Sequence, residues 1–218
     1  MDFINKVKSR GGIVFIDKLS NWAGAFSGQR HLSAVRESFV ALMPLIIAAS
    51  LFILINNVLL NGESGLVGFL GLEGAWINHQ QEIGVRVYNG TLNILAFLAT
   101  VMISYRLANS YGEDGITYAV FSLACLFVLL PVSIPVTAPA GEVFQVSGLI
   151  SGNESGASGM FVGIFVALIA TEVFRKVSAS PKLKITLSDS VPPSVSRSFN
   201  VLIPMILVLT LLVFLHGR

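Results

Sequence analysis

Charge is what this sequence has least of: only 12% of its 218 residues are Asp, Glu, Lys or Arg, against roughly 25% in soluble domains. Fourteen basic and twelve acidic side chains cannot furnish a water-facing shell around a chain that is 54% hydrophobic. That shortage excludes a soluble enzyme and a disordered tail, and a net charge of +2 is too small for a nucleic-acid partner, whose phosphates demand a basic excess. Cysteine is nearly absent. With Cys125 alone, no intrachain disulfide, CxxC redox pair or thiolate zinc site can form, and no metal or cofactor site is expected. Nor is a cleavable leader expected in the first residues. The longest apolar stretch near the start, Ile13 to Ile16, has four residues, short of the roughly seven that a signal peptide requires.

What is present is long uncharged runs. A helix needs about 20 apolar residues to cross ~30 Å of hydrocarbon, and from Ser38 to Gly62 there is no charge, with 14 Val, Leu, Ile or Phe between Phe39 and Leu60. A second run lies between Arg86 and Arg106. A third, Gly115 to Gly141, ends in Pro131, Pro135 and Pro139, which should break the helix as it emerges. The fourth, Ser155 to Thr171, has 17 residues between Glu154 and Glu172, and the fifth runs from Ser198 to Leu215. The expected fold is an all-α polytopic membrane protein of five spans. None of the spans carries an acidic relay, although intramembrane charges usually mark a substrate or proton path.

Basic residues retained in cytoplasmic loops set orientation. Lys6, Lys8, Arg10, Lys18, Arg30 and Arg36 precede the first span, Arg106 follows the second, and Arg175, Lys176, Lys182, Lys184 and Arg197 lie between the fourth and fifth, so 12 of 14 share one side. This predicts a cytoplasmic N-terminus, with outer loops at 61–85 and 138–154. In the lead-in, residues 1–37, Phe15, Leu19, Trp22 and Phe26 recur at helical spacing, a pattern suited to an amphipathic helix at the inner membrane surface. Residues 38–218 form the membrane domain. Within it 177–197, with Pro181, Pro192 and Pro193, reads as a cytoplasmic connector. The glycines at 62, 65, 68, 71 and 74 recur every three residues without an evident reason.

Two readings compete for the fourth span. Gly156-Ala157-Ser158-Gly159 reproduces the tetrapeptide around the serine of rhomboid intramembrane proteases, and His216 ends the fifth span on the same face, which together suggest a serine nucleophile and its base. The alternative is structural: Gly152 with Gly156, and Gly159 with Gly163, make two small-xxx-small pairs that let helices approach closely in lipid, within the chain or between subunits. The second reading is favoured, since the second span lacks the His and Asn that rhomboids place beside the nucleophile. His31 and His79 read as solvated loop residues, and Cys125 as a buried inert thiol.

Four strings carry a more specific message. Arg36-Glu37-Ser38-Phe39-Val40-Ala41-Leu42-Met43-Pro44-Leu45-Ile46-Ile47 resembles the first span of the sugar permease subunits, called enzyme IIC, of the bacterial phosphotransferase system. Lys18-Leu19-Ser20-Asn21-Trp22-Ala23 resembles that family's amphipathic lead-in, Tyr105-Arg106-Leu107-Ala108-Asn109-Ser110-Tyr111 its inner loop, and Val191-Pro192-Pro193-Ser194-Val195-Ser196-Arg197-Ser198-Phe199 the approach to its fifth span. The branch is similar to the lactose, cellobiose and diacetylchitobiose permeases. Such permeases are about twice as long, so the resemblance implies the N-terminal half, the scaffold through which two protomers associate as a homodimer. It also implies a bacterial inner-membrane location and import with phosphorylation of a β-linked disaccharide. A soluble IIB subunit would supply the phosphoryl group from a cysteine. The sugar-handling His and Glu would belong to the absent C-terminal half, so no catalytic or sugar-binding residue is assigned here and the chain is expected to be inactive alone.

Overall fold

The computed structural model describes residues 29–72, 74–138, 141–183 and 193–216; the amphipathic lead-in containing Phe15, Leu19, Trp22 and Phe26, and most of the connector, lie outside them. Among the described residues, five apolar helices run antiparallel. The first, α1 (Arg30–Leu54), continues through one π-turn, Ile55–Leu59. It begins eight residues before the uncharged run and passes straight through the boundary at 37/38. Its polar residues satisfy themselves on their own helix, Ser38 Oγ donating to the Ala34 carbonyl at 2.7 Å and Ser50 Oγ to that of Ile46 at 2.7 Å. In hydrocarbon nothing else would accept those protons.

The region expected as an outer loop is largely helical. After the single turn α2 (Leu66–Phe69) comes α3 (Ala75–Asn89), which leads through a 3-10 turn at Leu92–Ile94 into α4 (Leu95–Ser110). Gln81 and Gly84 turn toward α1: Asn56 Nδ2 donates to the Gln81 carbonyl at 2.9 Å, Gln81 Nε2 donates to the Leu60 carbonyl at 2.6 Å, and a Cβ on Gly84 would collide with the Asn56 amide. The solvent side of α3 carries a Glu82–Arg86 pair at 2.7 Å with i,i+4 spacing. That spacing, with Ile77 and Gly84 buried seven residues apart, is the helical signal that charge counting overlooks. The three-residue glycine period also gains a reason. Gly68 is packed on Gly62 so closely that a Cβ would lie 2.1 Å from its carbonyl oxygen, and Gly71 adopts φ +62°, where other residues are strained.

α5 (Gly115–Leu129) is capped by Asp114, whose carboxylate accepts from the Ile116 N–H at 3.3 Å and the Thr117 hydroxyl at 2.5 Å. It ends as expected before Pro131, with Leu130 extended at ψ 150°. Instead of irregular loop, Pro131 is followed by an antiparallel hairpin, β1 (Ser133–Thr137), which contains Pro135, with β2 (Val143–Ser147). The single turn α6 (Gly152–Ser155) and a 3-10 turn at Ala157–Gly159 precede α7 (Met160–Ser178). Finally α8 (Pro193–His216) opens with a proline at its first position, where the missing N–H costs nothing.

The centre of the bundle is α4. Its buried residues, Leu95, Ala96, Ala99, Thr100, Ile103, Ser104, Leu107 and Ala108, fall in adjacent pairs every four positions, so two faces are covered. One meets α1 and α7 through Leu42, Leu95, Ala99, Ile103 and Ala167. The other meets α5 and α7, on which α8 packs in turn, and there Phe174 stacks on Phe121 at 4.3 Å between ring centroids and meets Tyr118 edge-on at 4.8 Å. Cys125 lies fully buried in this second cluster. The outward surfaces are apolar too: Phe161, Phe165 and Ile169 on α7, and Ile116 and Val120 on α5, are all exposed. Such stripes would aggregate in water and are what lipid contacts. The chain is a helical membrane protein.

Candidate functional site: the polar ties of the bundle

Ser104, Ser122 and Thr171 belong to α4, α5 and α7, and all three are inaccessible. Ser104 Oγ is 2.9 Å from the Tyr118 carbonyl and 2.7 Å from each of the Ser122 and Thr171 hydroxyls. A carbonyl can only accept, so the single Ser104 proton goes to Tyr118. Its two lone pairs must then receive the protons of Ser122 and Thr171, and every hydrogen-bonding capacity of Ser104 is used. Three helices thus meet at one oxygen, away from water and with no charge.

The end of the bundle that carries Arg30, Arg106 and Arg175 is held differently. Glu172, near the end of α7, accepts from the Tyr111 hydroxyl at the C-cap of α4, from Arg175 Nη2 at 2.9 Å, and contacts His31 Nε2 on the first turn of α1 at 3.0 Å. The guanidinium groups of Arg175 and Arg30 lie 4.1 and 4.9 Å from the Tyr111 ring centroid, within cation–π range. Burial first, and then the hydrogen bond to Glu172, push the Tyr111 phenol above its ordinary pKa, so it remains a donor at neutral pH. Beside this cluster Arg106 faces Glu37 at 3.7 Å. His31 is therefore a helical residue with a carboxylate partner rather than a solvated loop residue, and His79, although exposed, sits on α3. No sequence spacing announces a carboxylate and histidine 141 residues apart; the hint was that all these groups flank spans on the same basic side.

The glycines of the fourth span do not share one helix face. Gly152 opens α6, Gly156 caps it, Gly159 closes the 3-10 turn, and only Gly163 lies within α7. Each is nevertheless closely packed. A Cβ on Gly163 would stand 2.7 Å from Thr100 Oγ1 and 2.9 Å from the Ala96 carbonyl, one on Gly156 would stand 3.3 Å from the Leu92 carbonyl, and one on Gly152 would stand 2.5 Å from Asn93 Oδ1. On Gly159 the obstacle is the Glu154 carbonyl of its own chain segment. The contacts of 152, 156 and 163 are with α4 and the turn before it. Ser155 adds a hydrogen bond of 2.6 Å to the Asn93 carbonyl.

Ser158 is exposed on the 3-10 turn and, among the described residues, has no hydrogen-bonding base. The side chain of His216 lies outside the described residues. The protease reading is unsupported. A groove lined by Glu113, Asp114, Tyr118, Val201 and Met205 opens between α5 and α8, but Asp114 is committed to capping. Among the described residues no group of His, Cys, Asp and Glu is arranged to hold a metal.

Comparison with known proteins follows this architecture. Residues 36–217 match the family described as Phosphotransferase system, EIIC. The chain is 34% identical over 196 residues to the cellobiose-specific EIIC component of the PTS system of Geobacillus stearothermophilus, covering 86% of this chain and 41% of the relative. It is 32% identical over 202 residues to the lichenan permease IIC component of Bacillus subtilis strain 168, covering 92% and 42%. A crystal structure of the transporter ChbC, the IIC component from the N,N'-diacetylchitobiose-specific phosphotransferase system, superposes with a TM-score of 0.77 at 31% identity, over 92% of this chain and 46% of that one. The chain thus spans less than half the length of these relatives. On the match across all five apolar helices, it belongs to the phosphotransferase system EIIC family.

Proposed function

We propose that this chain is the scaffold half of a permease that imports and phosphorylates a β-linked disaccharide of the cellobiose or diacetylchitobiose kind. The observation that carries the reading is how the bundle is tied: one saturated hydroxyl at its centre and a carboxylate cluster at its basic end that joins α1, α4 and α7. Such a body suits a fixed frame against which a sugar-carrying domain moves. Two protomers associate through this half, and sugar contacts belong to sequence equivalent to the remainder of the longer relatives. The phosphoryl donor is a IIB component, in keeping with the fused EIICB name of the lactose-specific relative from Staphylococcus aureus, which this chain matches at 26% identity. The N-terminus faces the cytoplasm across a bacterial inner membrane, supported by the 12 of 14 basic residues on one side.

The test is uptake of labelled cellobiose and diacetylchitobiose by cells lacking their own permease for them. Cells expressing residues 1–218 should take up neither sugar. Cells that also express the second half of a cellobiose-specific relative, with its IIB component, should accumulate the phosphorylated sugar. Uptake by residues 1–218 alone would refute the assignment of sugar handling to the other half.

A further inference from the structure

The hairpin after α5 is amphipathic in a way the rest of the bundle does not use. Its register pairs Ile134 with Val146 and Val136 with Phe144, whereas Ser133 pairs with Ser147 and Pro135 with Gln145. Because side chains alternate across a ribbon, Ile134, Val136, Phe144 and Val146 share one wholly apolar face, and Ser133, Pro135, Thr137, Val143, Gln145 and Ser147 share the other, mostly polar one. Val136 and Phe144 are exposed, and no helix among the described residues makes more than marginal contact with the ribbon. An isolated two-stranded ribbon is at best marginally stable in water, so the apolar face needs a cover.

The position of the ribbon indicates which cover. Helix α5 has 15 residues, about 22 Å at 1.5 Å per residue, some 8 Å short of the hydrocarbon thickness. It starts at the headgroup level, directly after Glu113 and Asp114. The chain beyond Leu129 therefore has to complete the crossing, and Leu130 to Val132 supply about the missing length at ~3.3 Å per extended residue. That brings the base of the ribbon to the boundary of the opposite leaflet. Both connections are exposed and apolar, Val132 on one side and Leu149 with Ile150 on the other, continuing the lipid-facing stripe of Ile116, Val120 and Phe127 on α5. From 131 to 150 the single charge is Glu142, at the turn. The unpaired edges of a ribbon cannot enter the hydrocarbon itself.

We infer that the hairpin lies in the headgroup region of the leaflet opposite the basic end, with Ile134, Val136, Phe144 and Val146 against the acyl chains and the polar face toward water. The partner of this face is phospholipid, and the ribbon is an interfacial anchor for the end of α5. This rests on the membrane reading of the bundle but not on its sugar chemistry.

Tryptophan quenching tests it. In a Trp22→Phe, Trp76→Phe background, Phe144→Trp, Gln145→Trp and Phe161→Trp are each introduced and the chain is reconstituted in phosphatidylcholine vesicles with and without brominated acyl chains. Phe161, exposed on α7, is the lipid-facing reference. The indole at 144 should be quenched at least half as strongly as at 161, and at least twice as strongly as at 145. Quenching at 161 without quenching at 144, equal quenching at 144 and 145, or cross-linking between two copies through Phe144→Cys would overturn the proposal. Failure at both 144 and 161 would overturn the membrane reading with it.

Discussion

Ser104 and Thr171, 67 residues apart, share a hydrogen bond of 2.7 Å between side chains with no access to solvent. Because Ser104 spends its proton on the Tyr118 carbonyl, Thr171 has to donate, and the direction of the whole network follows. Ser104→Ala removes the acceptor for two buried hydroxyls at once, while Thr171→Val keeps the shape and removes one donor. Interhelical bonds in membranes are worth about 0.6–2 kcal/mol each. Counting the bond donated to Tyr118 as well, the first substitution removes three bonds and the second one, so the first should lower the thermal midpoint of the detergent-solubilised protein about three times as far, read by loss of near-UV circular dichroism. Equal shifts would contradict the convergence of three bonds on Ser104.

Glu172 joins α1, α4 and α7 at the basic end through His31, Tyr111 and Arg175. Glu172→Gln should destabilise more than Tyr111→Phe, and the double variant should fall short of the sum, since the two share one bond. The Tyr111 phenol is raised by burial and by Glu172, so its protonated form is favoured in the fold. That contribution is complete below the unfolded tyrosine value of about 10 and is lost as pH rises through the higher folded value. The midpoint difference between wild type and Tyr111→Phe should therefore narrow in thermal melts above pH ~10 and hold steady from pH 6 to 9.

Gly163 meets Ala96 and Thr100 at distances that leave no room for a methyl group. Gly163→Ala should cost about 1–3 kcal/mol, the usual range for overpacking, and Gly163→Leu should prevent α7 from seating on α4. Gly62→Ala is the control, as nothing stands within 4 Å of its Cβ position. Thermal midpoints that respond alike at 62 and 163 would remove the close-approach account.

Much of this is legible in the sequence. Uncharged runs located all five apolar helices because lipid tolerates neither charge nor long gaps, and Pro131 stopped α5 as its geometry requires. What escaped had a physical reason. Helix α3 carries Glu82 and Arg86, which end an uncharged run without ending a helix. The hairpin strands are five residues each, too short for alternation to stand out against three prolines. Gly152, Gly156, Gly159 and Gly163 sit at helical spacing, but the backbone breaks at Gly156 and Gly159, so the stripe is divided among three elements. The Glu172 cluster was hidden because its members come together only when antiparallel helices close.

The account depends on alternate connections of the bundle emerging on opposite sides of the membrane. Glu63 and Lys182 are exposed on two such connections, and Cys125, the native cysteine, is buried. Glu63→Cys and Lys182→Cys, labelled in intact cells with a membrane-impermeant maleimide, test it directly. The cysteine at 63 should react in intact cells, and that at 182 only after the membrane is opened; reaction of both from the same side would contradict the five-span scaffold.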